Sequence, residues 1–442
     1  MPRSLDQWLA YQARVHPQTI DLGLDRLRQV LDRLNWRQPQ IPVITVAGTN
    51  GKGSVSALCA AIMRAAGYRV GTFTSPHLRD YRERLRIHDR WVSAPELVSA
   101  FERIEAARGT VKLTFFEFNT LAVLLVFEAA QLDAWVLEIG MGGRLDAVNV
   151  VDPDVAVVVS IGFDHQEYLG STLEAIAREK AGILRKDRPA VFGSRDSNAV
   201  LEDIARSTGA PLERLGLEYG YTVQGGAWRY RGSRWDLPQL PPPALLGDTQ
   251  YANAATAIAA LEAIEARLPI SAAAVAQGLK SVSLAARFQV IAPANAASPT
   301  WILDVAHNPD AARVLARNLR ATSGAGRTLA VCGILADKDA QGIASALSDC
   351  IDAWWCIPTD GERGRGGAAL AQVVREQVAA PVEATTSLAA ACAAALGEAG
   401  SQDRIVVFGS FHVAGPALDW LEAHGVLPPA ALPEYTAAPR AT

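Results

Sequence analysis

Short apolar runs recur along the chain, spaced so that one helix fits between successive runs. Pro42–Ala47, Ala134–Ile139 and Val155–Ile161 are β-branched and apolar on both faces, which predicts buried parallel strands. Ser54–Ala66 and Glu117–Gln131 read as the helices between them. This alternation predicts an α/β fold built on a doubly wound sheet. From Pro211 to Pro243 the pattern changes. Gly, Trp, Tyr and Pro dominate there, predicting short antiparallel strands and turns. Alanine-rich helices are predicted over Gln250–Leu268 and Ser271–Leu279. A second α/β rhythm then begins, with strands expected at Trp301–Val305, Thr328–Ile334, Ala353–Ile357 and Arg404–Phe408.

A chain of 442 residues exceeds what one compact core organises, so two domains are expected. The pattern places them at 1–285 and 286–430, with the boundary near Leu284–Arg287 and the small, polar stretch Ala292–Pro299 beside it. Residues 431–442, rich in Pro and Ala, read as a disordered tail. No apolar run approaches the roughly 20 residues of a membrane span, and the first ten residues lack a signal peptide's apolar core. The five cysteines are scattered without a C-x-x-C pair, which suits reduced thiols in a cytoplasmic protein. A net charge of −4 gives no global electrostatic case for nucleic acid, so neither nucleic acid nor membrane is expected as a partner.

The candidate chemistry starts at Val43-Ile-Thr-Val-Ala-Gly-Thr-Asn-Gly-Lys-Gly-Ser-Val55, an apolar strand entering a glycine-rich turn before a helix. Backbone N–H groups there and the charge of Lys52 suit phosphate oxygens, and glycine lets the backbone come close. The spacing is a variant of the G-x-x-x-x-G-K-[ST] loop. Gly48 lies three residues before Gly51, and Gly53 separates Lys52 from Ser54. Only six of the 42 basic residues are lysine, so a lysine inside a motif draws notice.

Ligands of open α/β sheets collect at the carboxyl ends of the strands. Glu138 ends one such strand and is placed like an acid that holds Mg²⁺, or else is a simple cap. Asp164 and His165 follow another, and Ser75 to His77 follow Val70–Thr74. Ser171 and Glu174 form a capping box that predicts a helix, on which Leu173, Ile176, Ala177 and Lys180 share one face while Arg178 and Glu179 point outward. A lysine on the inward face is paired, deprotonated or modified, or else lays its stem on apolar surface and reaches water. Asp304 and His307 lie at a strand end of the second domain. Arg287, at the junction, suits a transferring phosphoryl group or a structural ion pair. His16, His88 and His424 have no motif around them and read as structural or solvent-facing.

Together these motifs resemble the folylpolyglutamate synthase family of the Mur ligase superfamily, in its bifunctional bacterial branch. The resemblance runs through TIDLGLDR (Thr19–Arg26), VAGTNGKGS, TSPHL (74–78), LTFFEF (113–118), EIGMGGRLDAVN (138–149), DHQEYLG (164–170), REKAGI (178–183), DVAHNP (304–309), ILADKD (334–339) and FGSFH (408–412). It implies a P-loop-type ATP-binding domain, a smaller C-terminal Rossmann-like domain, and an active site in the cleft between them. By the same resemblance Gly48, Thr49, Asn50, Gly51, Lys52, Gly53 and Ser54 would bind ATP, with Asn253, Arg287 and Asp304. Ser75, Glu138 and His165 would bind Mg²⁺, Lys180 would be carbamylated to help hold a second Mg²⁺, and His307 would lie near the phosphoryl-transfer centre. Dihydropteroate or folate would lie against Asp21, Leu22, Gly23, Leu24, Thr114, Phe115, Phe116, Glu117, Leu145, Asp146 and Ala147. The family often has glycine where this chain has Ala286.

The activity so implied is an ATP-dependent ligase, a monomer, adding L-glutamate to 7,8-dihydropteroate and to reduced folates through an acyl phosphate. A Mur-type ligase for UDP-sugar peptides shares the phosphate loop and the lysine but should lack Asp21-Leu-Gly-Leu24 and Thr114-Phe-Phe-Glu117. A P-loop switch that moves a protein partner would need neither the helix-face lysine nor Asp304 and His307.

Overall fold

The computed structural model describes residues 3–18, 20–88, 90–196, 198–292, 298–322 and 326–427. Thr19 of the TIDLGLDR motif, residues 293–297 of the Ala292–Pro299 stretch and the predicted tail 431–442 lie outside the described residues. The chain forms two compact units. One runs to Ala244 and resumes over Tyr251–Val282; the other holds Leu245–Gln250 and the described residues from Ser283 to Leu427.

The first unit is built on an eight-stranded sheet of β1 (Val43–Ala47), β2 (Val70–Phe73), β3 (Leu85–Ile87), β4 (Arg90–Trp91), β5 (Ala134–Glu138), β6 (Val155–Val158), β7 (Ala190–Phe192) and β8 (Leu212–Arg214). Its order is β4-β3-β2-β5-β1-β6-β7-β8, parallel from β2 to β8, with β3 and β4 added antiparallel. Every residue of β1, β5 and β6 is buried, which explains why these strands are continuous apolar runs. Each fully buried Val or Ile there contributes about 1.5–3 kcal/mol. A separate antiparallel sheet, β9 (Gly220–Gln224), β10 (Ala227–Arg231) and β11 (Asp236–Leu240), occupies the Gly- and Trp-rich region.

Ten helices accompany these strands among the described residues. They are α1 (Leu5–Val15), α2 (Asp25–Arg33), α3 (Lys52–Ala65), α4 (Ala94–Arg108), α5 (Phe115–Ala129), α6 (Gln166–Leu169), α7 (Leu173–Ala181), α8 (Ala199–Thr208), α9 (Thr249–Ala263) and α10 (Ala272–Ser281). The phosphate-loop helix α3 packs closely on α10, where a Cβ on Gly278 would stand 2.5 Å from Ile62 Cα. Only glycine allows that backbone approach. Helix α5 starts from a complete capping box: Thr114 Oγ1 accepts from Glu117 N and the Glu117 carboxylate accepts from Thr114 N.

The second unit carries a six-stranded sheet of β12 (Gln289–Ile291), β13 (Thr300–Leu303), β14 (Thr328–Cys332), β15 (Ala353–Cys356), β16 (Val382–Ala384) and β17 (Arg404–Phe408). The order is β12-β13-β17-β14-β15-β16, parallel except for β12. Helices α11 (Pro309–Ala321), α12 (Ala340–Leu347), α13 (Gly367–Arg375), α14 (Leu388–Glu398) and α15 (Phe411–Ala423) belong to this unit.

Several local expectations are corrected. Helix α3 begins at Lys52 rather than Ser54, because Gly51 adopts a left-handed φ of +86° and releases the chain directly into the helix. Helix α5 begins two residues before Glu117, which occupies the N3 place of its cap. Strand β6 stops at Val158, and α9 ends at Ala263 rather than Leu268. The cap of α7 is Thr172, whose hydroxyl accepts from Ala175 N, and not Ser171 with Glu174. Ile176, Ala177 and Lys180 face inward as the periodicity predicts, whereas Leu173 is exposed on the first turn. All five cysteines are free thiols.

Candidate active site

Strand β1 lies between β5 and β6, with Val46 in register with Glu138 and Ala47 with Val158. The phosphate turn, Glu138 and the segment after β6 therefore leave the same edge of the sheet. Two N–H groups of the turn are committed inward: Thr49 N donates to Ser160 O at 2.9 Å, and Asn50 N donates to Ser160 Oγ at 2.9 Å. Thr49 Oγ1 donates to Gly162 O and accepts from Gly162 N, both at 3.0 Å. Thr49 and Asn50 thus shape the turn, and the donors directed along the axis of α3 are those of Lys52, Gly53 and Ser54, where a helix has no intrahelical acceptor. Lys52 Nζ folds over the turn and donates to Gly48 O at 3.0 Å. Gly48, at φ +152°, abuts Val159 and Ser160, which leave little space for a side chain.

Glu138 is buried at the end of β5, and its Oε2 accepts from Ser75 N at 3.2 Å. Ser75 and Glu138 are thus adjacent. His165 heads α6 in a left-handed conformation, φ +50°, which few residues other than glycine adopt, and its backbone N–H donates to Asp164 Oδ1 at 2.9 Å. Beside Ser75, Arg84 Nε donates to His77 Nδ1 at 2.8 Å, so the neutral His77 ring carries its proton on Nε2. Burial lowers the Arg84 pKa, and its guanidinium lies over Tyr81 and Phe115. No cluster of three His, Cys, Asp or Glu side chains able to hold a metal occurs among the described residues. That is compatible with Mg²⁺, which usually takes one or two carboxylates and completes its shell with water and phosphate.

Lys180 is only 3% exposed. Burial, then the charge of Lys52, push its amine down to about 7, against the opposing pull of Asp164 and Asp146. Relative to an ordinary lysine that is roughly 5 kcal/mol against the ammonium form. The glycines of the GMGGRLD segment make this possible: a Cβ on Gly143 would stand 2.6 Å from Glu179 O, and Arg144 N donates to the same oxygen at 2.8 Å. Asp146 is also buried. Its Oδ2 accepts from Met141 N at 2.8 Å and its Oδ1 from Val148 N at 3.0 Å, while burial raises its carboxyl to about 6.

The Asp21–Leu24 loop, the head of α5 and the Leu145–Ala147 segment come together. Gly23 N donates to Leu145 O at 3.1 Å, and Arg26 bonds both Asp21 and Glu117. Thr114 and Glu117 are buried and serve the cap, which leaves Phe115 and Phe116 half-buried beside them. Sequence reasoning overlooked Arg26, though it stands within the quoted TIDLGLDR motif. It also overlooked Ser160, which holds the phosphate turn, whereas His16, read as structural or solvent-facing, places its Nε2 3.3 Å from Asp21 Oδ2 in a structural contact.

In the second unit, Asp304 Oδ2 accepts from Phe288 N at 2.8 Å and Oδ1 from Ala306 N at 2.7 Å. Burial raises the Asp304 pKa; the Arg287 charge works in the opposite direction. Arg287 projects between two left-handed residues, Ala286 at φ +54° and Phe288 at +47°, and its guanidinium lies 4.9 Å from the Phe411 ring centre. His307 donates from Nδ1 to Val305 O at 2.8 Å, which fixes the tautomer of the neutral ring. Arg287, Asp304 and His307 therefore share one strand end of this unit.

The family described as Mur ligase middle domain matches residues 46–261, and that described as Mur ligase, glutamate ligase domain matches residues 286–411. The dihydrofolate synthase/folylpolyglutamate synthase of Escherichia coli (strain K12) is 42% identical over 95% of this chain and 96% of that relative. The chain belongs to the dihydrofolate synthase/folylpolyglutamate synthase family. A solved structure of E. coli FolC in complex with DHPP and ADP superimposes with a TM-score of 0.90 at 41% identity, covering 96% of this chain and 99% of that one. A bifunctional folylpolyglutamate synthase/dihydrofolate synthase with Mn, AMPPNP and L-glutamate bound gives a TM-score of 0.87 at 42% identity, over 95% and 98% of the two chains. The Mur ligase-like architecture read from the sequence is the architecture of this dihydrofolate synthase/folylpolyglutamate synthase family member.

Proposed function

We propose that this chain is an ATP- and Mg²⁺-dependent amide-bond ligase that joins L-glutamate to 7,8-dihydropteroate, forming dihydrofolate, and to reduced folates, forming polyglutamates. The observation that carries this reading is the buried Lys180 amine, held near neutrality beside the Lys52 charge at the edge of a phosphate-binding turn. A motor or switch has no use for such a group.

A carboxylate is a poor acyl donor because its leaving oxygen is strongly basic. Transfer of the terminal phosphoryl group of ATP makes it an acyl phosphate and releases ADP. The glutamate amine then attacks the acyl carbon, and phosphate leaves from the tetrahedral intermediate. The turn Gly48–Ser54 and the head of α3 hold the phosphates, with Lys52 set against the charge that builds during transfer. Asn253 flanks Gly51 from α9. In the second unit, Arg287 and Asp304 serve the nucleotide and His307 the transferring group.

Ser75, Glu138 and His165 would hold Mg²⁺: a buried carboxylate oriented by the Ser75 amide, beside a hydroxyl, fits a hard cation. The metal supplies charge neutralisation on the phosphate oxygens. Lys180, as the free amine, adds through nitrogen to CO₂ and loses a proton. The resulting carbamate would serve a second Mg²⁺, which an arginine could not do. Asp21, Leu22, Gly23, Leu24, Phe115, Phe116 and Leu145–Ala147 form the surface for the pteridine, with Thr114 and Glu117 shaping it from the cap. No helix among the described residues is long and apolar enough to cross a membrane. In this reading the ligase works as a monomer in the cytoplasm.

Incubation with ATP, Mg²⁺, L-glutamate and either 7,8-dihydropteroate or tetrahydrofolate tests this. The expected result is a product heavier by one glutamyl residue with stoichiometric phosphate. Phosphate release without that product would overturn the reading.

A further inference from the structure

One side chain touches both the Asp21–Leu24 loop and the N-terminus of α5. Arg26 Nε donates to Glu117 Oε1 at 3.0 Å, Nη1 donates to Asp21 Oδ2 at 2.7 Å, and Nη2 donates to Asp21 O at 2.6 Å. A single planar guanidinium thus grips a carboxylate on the helix together with the side chain and the backbone of the loop. A lysine could satisfy only part of that pattern from one flexible point charge.

Glu117 is 2% exposed, and its Oε2 also accepts from Thr114 N at 2.7 Å. It is therefore fixed to the frame of α5 and forms an immobile anchor. Asp21, by contrast, lies on a loop without helix or strand, and its side chain is 33% exposed. Among the described residues the loop is also restrained by His16 Nε2, 3.3 Å from Asp21 Oδ2, and by Gly23 N, which donates to Leu145 O. Arg26 alone among these ties the loop to α5.

We propose that Arg26 is a positioning residue for the conjugated pterin acid: its fork sets the separation between the Asp21–Leu24 loop and Phe115–Phe116 at the head of α5. This rests on the folate-ligase reading above. Arg26 acts through the loop and makes no contribution to the phosphate side of the site.

Arg26→Lys, measured in the full chain at saturating L-glutamate, is expected to raise KM for 7,8-dihydropteroate at least tenfold. KM for ATP stays within twofold and kcat within threefold of wild type. Asp21→Asn raises the same KM, and the double variant loses less than the product of the two single losses because the two side chains share one linkage. Losses that multiply in the double variant, a parallel rise in KM for ATP, or an unchanged KM for dihydropteroate would each overturn the proposal. Should Arg26→Lys fail to fold, hydrogen exchange on Asp21→Asn decides. The Gly23 amide should exchange at least threefold faster, and unchanged protection overturns the proposal. A wild-type chain that turns over neither dihydropteroate nor folate removes the functional reading and this proposal with it. An active wild type with an unaffected Arg26→Lys removes the proposal alone.

Discussion

A Cβ on Gly51 would stand 2.9 Å from Asn253 Oδ1 and 2.8 Å from Val159 Cγ1, so the phosphate turn is wedged between α9 and the end of β6 without room for a methyl group. Gly51 also adopts φ +86°, a conformation that costs an L side chain about 1–2 kcal/mol. Strain and overpacking together amount to about 3 kcal/mol for Gly51→Ala. Relief requires the turn to move, so nucleotide affinity should fall about a hundredfold while the sheet remains folded. Calorimetric titration with ADP, paired with circular dichroism, checks both parts.

Lys180→Arg should lower turnover by at least about a thousandfold, because a guanidinium cannot form the carbamate and keeps its charge in a buried place. Product mass per unit time for dihydropteroate reads this directly. Activity near the wild-type level would mean that the lysine only packs.

The same residue predicts a pH dependence of stability. Its amine titrates near 7 in the fold, against 10.5 as the ordinary value. Between those limits the unfolded chain binds more protons, so the free energy of unfolding rises as pH rises from about 7 towards 10.5. Lys180→Met removes the titrating group. In CO₂-free buffer the stability of the wild type relative to that variant should increase across pH 7–9, measured by urea unfolding.

Ala286 occupies φ +54°, where a side chain is strained and glycine is not. Val305 N donates to Ala286 O at 3.1 Å and Ala286 N to Gln289 Oε1 at 2.9 Å, which hold the turn in place. Ala286→Gly relieves the strain but loosens the unfolded chain, for a net gain of about 0.5 kcal/mol. A small rise in the urea midpoint with unchanged slope is expected.

Glu138→Gln keeps the shape of the side chain and removes its charge. Turnover should fall by about a hundredfold or more, and the Mg²⁺ concentration needed for half-maximal rate should increase. Chelation by EDTA should silence the wild type and be reversed by added Mg²⁺. A metal requirement unaltered in Glu138→Gln would remove that carboxylate from the metal site.

What was legible in the sequence follows from what physical pattern each feature carries. The central strands of both sheets are buried on both faces, so they appear as unbroken apolar runs, and β1, β5 and β17 could be read almost to the residue. The phosphate turn and Lys180 were legible because glycine spacing and a charged residue on an apolar stripe are local signals. Strand β12 is three residues long, begins with Gln289 and pairs antiparallel at an edge, so it carries no periodicity to detect. The start of α7 was misplaced because Ser171 and Glu174 imitate a capping box one residue early, and only the backbone decides that Thr172 is the cap. Arg26 reaches Glu117 across 91 positions of sequence, and no local pattern encodes such a contact. Likewise, the sequence shows the glycine turn but not that Ser160 claims two of its N–H groups.

The bare backbone of Gly278 against Ile62 has a temporal consequence for a growing polypeptide. The glycine-rich turn is translated early, yet the brace behind its helix emerges only after most of the first unit has been made. A ribosome-bound fragment that stops short of α10 would carry the whole motif and still hold ATP poorly. Competence to consume ATP is thereby withheld until the surrounding architecture exists.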